Sequence, residues 1–256
     1  MIKRLVIYFF FIALTSVVLV KWQSSRPNQP FPKPANTAIS SANTLKTITV
    51  DGIGYAYDYF RVSGNQSLQS IYNLDSKRTS ADIITAHECT FLSSGGFYGK
   101  NGRPIGALTI AGVSLSPHIS NQLFNGQLVA SPSGGLAIVD QGDTGNWDTV
   151  IQTGPILFRF GQARSLGVNN DEPERRIMVI TSDDGTARIM IIVSPDSLYS
   201  GPTLKSLPAI INTIAGRESF TVTDAINLDG GTASVFKNGQ NYIKEMKTVG
   251  TFLCFK

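Results

Sequence analysis

Hydrophobic patterning divides the chain into unlike stretches. Leu5 to Val20 is almost entirely apolar, with no period and no acidic residue. Ser, Thr, Ala, Asn and Pro dominate the next stretch, to Asn43, and nothing there can build a core. From Thr47 to Ser63 apolar and polar residues alternate, with Tyr55, Tyr57 and Tyr59 at period two around an Asp51-Gly52 turn. That pattern predicts a β-hairpin. Leu68 to Asp75 and Ser80 to Cys89 read as helical, with Ser80 as N-cap.

Beyond Ile105, short apolar segments recur between Gly, Asn and Asp turns, as strands do. They are Ile105–Val113, Leu136–Val139, Thr149–Gln152, Ile156–Phe160, Arg176–Thr181 and Ala187–Val193, with Asp183-Asp184-Gly185 turning between the last two. Leu204, Leu207, Ile210, Ile211 and Ile214 give one apolar face to a helix over Thr203–Ala215, in which Pro208 marks a kink or a later start. Asp224–Leu228 reads as a buried strand, and Thr232–Lys237, Gln240–Ile243 and Thr251–Phe255 as a closing β element. No repeat shows at periods of 20 to 50 residues. Strands outnumber helices without strict alternation, which predicts an α+β domain over residues 44–256. Its core is expected to be a mixed, twisted β-sheet with a few flanking helices.

Charge changes the reading of the N-terminus. The whole chain carries +4, but residues 1–40 hold five of its 22 cations and none of its 18 acids. The remainder is nearly neutral, which argues against a nucleic-acid partner. Lys3 and Arg4 ahead of the apolar run make residues 1–22 a signal peptide or a signal-anchor helix. No small-x-small cleavage site follows, which favours the anchor and a membrane partner through that helix. Residues 23–43, with four prolines between Arg26 and Pro34, are a linker. Export makes Cys89 and Cys254 candidates for a disulfide, while their apolar contexts suit buried thiols equally.

Three glycine-containing junctions carry the chemistry. Ser94-Gly95-Gly96-Phe97-Tyr98 follows a short apolar segment and offers backbone amides to a ligand, with an aromatic wall and Lys100 and Arg103 nearby for anions. Thr153-Gly154-Pro155 bends the chain between two strands. Asn227-Leu228-Asp229-Gly230-Gly231 ends a buried strand on one carboxylate, with the Thr232 and Ser234 hydroxyls following. Each junction alone is compatible with an ordinary turn.

Together, in this order and spacing, they resemble the phosphodiester glycosidases over about Asp82 to Phe236. The resemblance rests on Gly95 to Tyr98, on Gly154 to Leu157, on the arginine-led strand Arg175-Arg176-Ile177-Met178-Val179, and on Leu228 to Gly231. Ser94 stands where that family often has Asn, Ile177 where Thr is common, and Thr232-Ala233 where Gly-Ser is common. The resemblance implies an exported hydrolase that cleaves a sugar from a sugar-1-phosphodiester in a glycan or envelope polymer. A non-catalytic glycan-binding or exopolysaccharide-assembly protein is the alternative on the same fold.

A phosphate ester is a good leaving group, so such a reaction needs a carboxylate on the sugar side and cations or amides around the phosphate. Asp229 is the expected base or nucleophile, or a ligand for a sugar hydroxyl or metal. Arg176 is the expected phosphate fork, and the Gly95 and Gly96 amides the expected oxyanion donors. Glu88, beside His87, is a further acid–base candidate. Ser94, Phe97, Tyr98, Arg103, Thr153, Gly154, Gly230, Gly231 and Ser234 are expected to line the substrate. No cofactor is assigned. A divalent cation is conceivable at Asp140–Asp148 or Asp171–Glu174, although neither has the spacing of a calcium loop.

Overall fold

A computed structural model describes residues 44–64, 66–131 and 135–256. The leader and linker expected over residues 1–43 lie outside them. No helix among the described residues is long and apolar enough to cross a membrane. The described chain is mostly β-sheet, with seventeen strands and two α-helices. Every ladder between named strands is antiparallel, so the expected mixed sheet is corrected to antiparallel sheets.

The central seven-stranded sheet contains β1 (Lys46–Val50), β2 (Ile53–Val62), β10 (Ile156–Arg159), β11 (Gln162–Ala163), β12 (Arg176–Ser182), β13 (Ala187–Val193) and β14 (Val222–Asn227). Their order is β1-β2-β13-β12-β14-β10-β11. Its two middle strands are apolar throughout because both faces are covered. Ile177, Val179, Ile189 and Ile191 face one core, and Met178, Ile180, Met190 and Ile192 face another. The second core is closed by α2 (Leu207–Arg217) through Leu207, Ile210, Ile211 and Ile214. This helix starts later than expected, which puts Pro208 in its first turn. There the missing N–H costs no helical hydrogen bond.

The first core is shared with two five-stranded sheets. One has the order β16 (Asn241–Ile243), β15 (Phe236–Asn238), β4 (Phe91–Ser94), β17 (Thr251–Phe255), β3 (Leu68–Tyr72). The other has the order β6 (Val113–Ser116), β5 (Leu108–Ile110), β9 (Thr149–Thr153), β7 (Gly126–Ala130), β8 (Leu136–Asp140). The strand β3 replaces the helix expected over Leu68–Asp75. Leu68 and Tyr72 pack toward the first core and Ile71 away from it, a period of two that so short a segment shares with a helical spacing.

The expected helix near Ser80 is α1 (Ser80–His87), but its N-cap is Thr79, which closes a capping box with Asp82. A small third core of Ile83, Leu92, Val235, Val249 and Phe252 encloses Cys89 and Cys254, which are joined as a disulfide. Of the two readings left open by the sequence, the cross-link is the one observed.

Candidate active site

The ends of β4, β12 and β14 meet at one place, and backbone geometry explains why glycines sit there. Asp229 N–H donates to Gly95 O at 2.9 Å, and Ser94 Oγ donates to Asp229 O at 2.8 Å. Gly231 N–H donates to Arg175 O at 2.9 Å, so the loop after β14 lies against the start of β12. A Cβ at Gly230 would lie 2.5 Å from Arg175 O, which leaves room only for glycine. Gly231 follows at φ +58° and begins a short 3-10 turn, Gly231–Ala233. The sequence thus delivers Asp229 into the seam between two sheets, where it is only 9% exposed.

Asp229 is not alone. A Cβ added at Gly231 would touch the Glu174 carboxylate at 3.0 Å, so Glu174 closes over this loop. Burial holds the Asp229 carboxyl well above the usual carboxylate range, and the Glu174 charge adds to that. The Arg175 guanidinium and a hydrogen bond from the Gly230 N–H act in the opposite sense. Tyr98 is raised too, chiefly by burial and then by the Asp229 charge. Its hydroxyl donates to Thr248 O.

Arg175 is the buried cation of this site, and it is committed to the protein. Its guanidinium donates to Gly231 O, to Ser234 Oγ at 2.7 Å, to Ser234 O and to Lys244 O at 3.0 Å. Burial lowers its pKa to about 10. Ser234 Oγ in turn donates to Gly231 O at 2.8 Å. Arg175 and Ser234 therefore shape the 230–234 loop rather than reach outward.

Arg176, the expected phosphate ligand, is turned the other way. Its guanidinium donates to Pro202 O and Glu172 O and lies 3.6 Å from Asp171 and 3.7 Å from Glu174. Gly95 N–H is taken by Thr251 O at 2.8 Å and cannot serve an oxyanion, whereas among the described residues no acceptor bonds the Gly96 N–H. Gly96 itself is buried against Ile151.

Glu88 is the exposed, left-handed C-cap of α1, at the opposite end of β4 from Gly95. Arg103 is exposed as well, and its charge acts on Tyr72 rather than Asp229. Phe97 packs on Phe124 with ring centroids 5.0 Å apart. Thr153 and Gly154 join the site indirectly. Thr153 Oγ1 donates to Asn227 O at 2.7 Å, and Asn227 Nδ2 donates to Gly154 O at 3.1 Å. The Gly154–Pro155 peptide is cis, and a Cβ at Gly154 would overlap the Leu123 carbonyl.

Ser94, Gly95, Gly96, Tyr98, Asp229, Gly230, Gly231 and Ser234 thus come together, Arg176 touches the site only through Glu174, and Glu88 and Arg103 lie elsewhere. Sequence reasoning named Glu174 only as the end of an acidic stretch and Arg175 only as the head of a strand, and gave neither a role beside Asp229. The acidic stretch Asp171–Glu174 has a structural use instead: Asp171 accepts from Leu204 N–H at 2.7 Å and Lys205 N–H at 2.8 Å ahead of α2. Among the described residues no group of three His, Cys, Asp or Glu is placed to hold a metal.

The site thus sets a buried acid and a second carboxylate at the meeting point of three strand ends from two sheets. The family model for phosphodiester glycosidases matches residues 87–256, and the chain belongs to that family. Among solved structures, the catalytic domain of zebrafish N-acetylglucosamine-1-phosphodiester alpha-N-acetylglucosaminidase, described as auto-inhibited by its pro-peptide, superposes with a TM-score of 0.58. It is 16% identical, over 82% of this chain and 80% of that one. A hypothetical protein from Synechocystis has the same TM-score at 12% identity, over 82% of this chain and 61% of its own. A putative exported protein from Burkholderia pseudomallei has a TM-score of 0.50 at 11% identity, over 79% and 74% of the two chains. At these identities the likeness is one of fold. A sequence search of curated proteins returns no match.

Proposed function

We propose that this protein is an exported glycosidase that releases a sugar from a sugar-1-phosphodiester of a glycan or envelope polymer. The observation that carries the reading is the buried Asp229 carboxyl beside Glu174, held among the family's own motifs. Burial and the neighbouring charge favour Asp229 as the protonated partner. It can then donate its proton toward the bridging oxygen as the sugar–oxygen bond breaks. Glu174 is the second carboxylate, on the sugar side, where it takes the proton of the water that attacks C1, or attacks C1 itself and is displaced by water in a second step. The Gly96 N–H is available to a phosphate oxygen, and Tyr98 walls the reacting centre. Arg175 acts as a positioning residue through Gly231 and Ser234.

Export is supported by the charged, then apolar, N-terminus and by the Cys89–Cys254 disulfide, which suits an oxidising compartment. Incubating the full chain in detergent with N-acetylglucosamine-1-phosphodiesters and analogues of other sugars tests the activity by released sugar. Turnover that Asp229→Asn and Glu174→Gln abolish in folded protein supports the reading. No release from any of these substrates by the wild type turns it toward the glycan-binding alternative.

A further inference from the structure

A cavity of about 420 Å³ opens beside the cis Gly154–Pro155 peptide, and no step of the proposed reaction uses it. Its size is that of a small-molecule site. Residues 121–125 and 165–169 supply its walls, Phe124 excepted, with Pro155 between them, and none of the lining residues is charged.

Two of its amides are already oriented. Asn121 Oδ1 accepts from the N–H groups of Leu123 at 2.7 Å and Phe124 at 3.0 Å, and Asn125 Oδ1 accepts from Ile156 N–H at 2.8 Å. The carbonyl side of each amide is thereby fixed, and each Nδ2 is left as a donor. Among the described residues neither Nδ2 has an acceptor. Leu123, Leu166 and Val168 add aliphatic surface to the same space.

Chain continuity leads from both walls toward the carboxylates, neither of which lines the cavity itself. Pro155 O accepts from Asn227 N–H at 3.1 Å, two residues before Asp229. The 165–169 wall continues through the anchored Asp171 to Glu174. Gly154, packed against the Leu123 carbonyl, locks the first wall to β14 through Asn227.

The geometry points to this cavity as the subsite for an uncharged sugar ring of the substrate. Fixed amide donors match sugar hydroxyls, and aliphatic side chains match the C–H faces of the ring. With no lysine or arginine in the lining, a phosphate would find no charge partner there. The assignment rests on the glycosidase reading and adds to it where the sugar sits.

Gly167 gives the test, because it lines the cavity with an ordinary φ, and a Cβ there meets nothing within 4 Å. The series Gly167→Ala, Gly167→Leu, Gly167→Trp fills the space step by step, and Ser165→Trp fills it from a second position. The probes are the methyl α-glycosides of N-acetylglucosamine, glucose, galactose and mannose, titrated onto the full chain in detergent and followed by saturation-transfer NMR. A melting temperature for each variant establishes that it is folded.

At least one glycoside is expected to bind the wild type. Its affinity should weaken along the series, on the order of tenfold or more at Gly167→Trp. Binding that Gly167→Trp and Ser165→Trp leave unchanged, or no binding of any probe, overturns the assignment. Sugar release with a KM unmoved by Gly167→Trp keeps the hydrolase and removes the subsite. Glycoside binding lost in Gly167→Trp, with no sugar release from wild type, keeps the subsite and removes the hydrolase.

Discussion

Reducing the Cys89–Cys254 disulfide is expected to lower the stability of the folded domain sharply while leaving the site assembled. The bond closes a loop spanning 165 residues, nearly the whole described chain from the end of α1. In the chain-entropy description the constraint on the unfolded state grows with the logarithm of loop length, which for this loop amounts to about 5 kcal/mol at 25 °C. For a domain of this size each kcal/mol shifts the melting point by about 2–4 °C, so full reduction is expected to lower it by about 10–20 °C.

Both sulfurs lie inside the small core with Ile83, Leu92, Val235 and Phe252, and the β4–β17 ladder that positions Gly95 does not depend on the bond. The reduced protein is therefore expected to fold at 25 °C and to retain its turnover. Thermal unfolding by circular dichroism, with and without reductant, gives the shift once thiol titration shows two free cysteines. Urea unfolding gives the free energy and should show a larger m-value for the reduced form, whose unfolded chain is less confined. A melting point lowered by less than about 3 °C after complete reduction would refute the loop-entropy account.

Asp229→Asn is expected to abolish sugar release yet raise the melting temperature near neutral pH. The folded state holds this carboxyl raised, so its contribution is present below the unfolded pKa of about 3.8 and is lost as pH rises toward the folded value. The stabilising difference should shrink below pH 4, and an asparagine variant less stable than wild type at pH 7 counts against the buried neutral acid. Glu218 is the opposite case. Hydrogen bonds from Lys46, Tyr57 and Tyr59 outweigh burial and lower it to about 2, so its contribution should disappear as pH falls from about 4.5 to about 2. A Glu218→Gln variant should show a flatter acid limb in melting temperature, and parallel limbs would remove that role. Gly230→Ala should cost on the order of 1–3 kcal/mol and most of the activity, since its Cβ meets the Arg175 carbonyl. Unchanged urea stability would show that the loop has room. Arg175→Lys should be more damaging to stability and turnover than Arg176→Lys, because one ammonium cannot replace the fork across Gly231, Ser234 and Lys244. Equal effects would leave the two arginines undistinguished.

Much of the fold was legible because its signals are local. The hairpin over Thr47–Ser63, the turn at Asp183-Asp184-Gly185 and the C-terminal strand at Thr251–Phe255 each follow from turn residues and short-range patterning. The strands β12 and β13 were legible as a hairpin from the turn between them, but the outer neighbours β2 and β14 were not, because both faces are apolar and alternation carries no sidedness. Nothing local states that β3 pairs with β17, the first strand of its sheet with a partner near the end of the chain. That register depends on contacts far apart in sequence, and a five-residue segment suits a helix template as well.

The site divides along the same line. The Gly95–Gly96 and Gly230–Gly231 junctions were readable because glycine announces close backbone approach, and both are used that way. The two arginines were not separable, since adjacent residues entering a strand take opposite faces and both faces here are buried. Only the tertiary structure gives Arg175 to the 230–234 loop and Arg176 to the Asp171–Glu174 segment.

That division has a chemical consequence for phosphate recognition. Had Arg175 donated directly to the Asp229 carboxylate, the acid would be held ionised and useless as a proton donor. Its N–H groups instead go to carbonyls and the Ser234 hydroxyl, leaving Asp229 only a Coulombic share of the charge, too little to offset burial and Glu174. The arginine thus builds the loop without neutralising the acid. Under the proposed reading a phosphodiester would find, among the described residues, no uncommitted buried guanidinium at this site, so its binding should rest more on the neutral sugar side than on charge. Affinity for substrate should accordingly fall little as salt is raised from low to physiological ionic strength. A KM that climbs steeply with salt would mean that exposed cations such as Lys100 or Arg103 hold the phosphate after all.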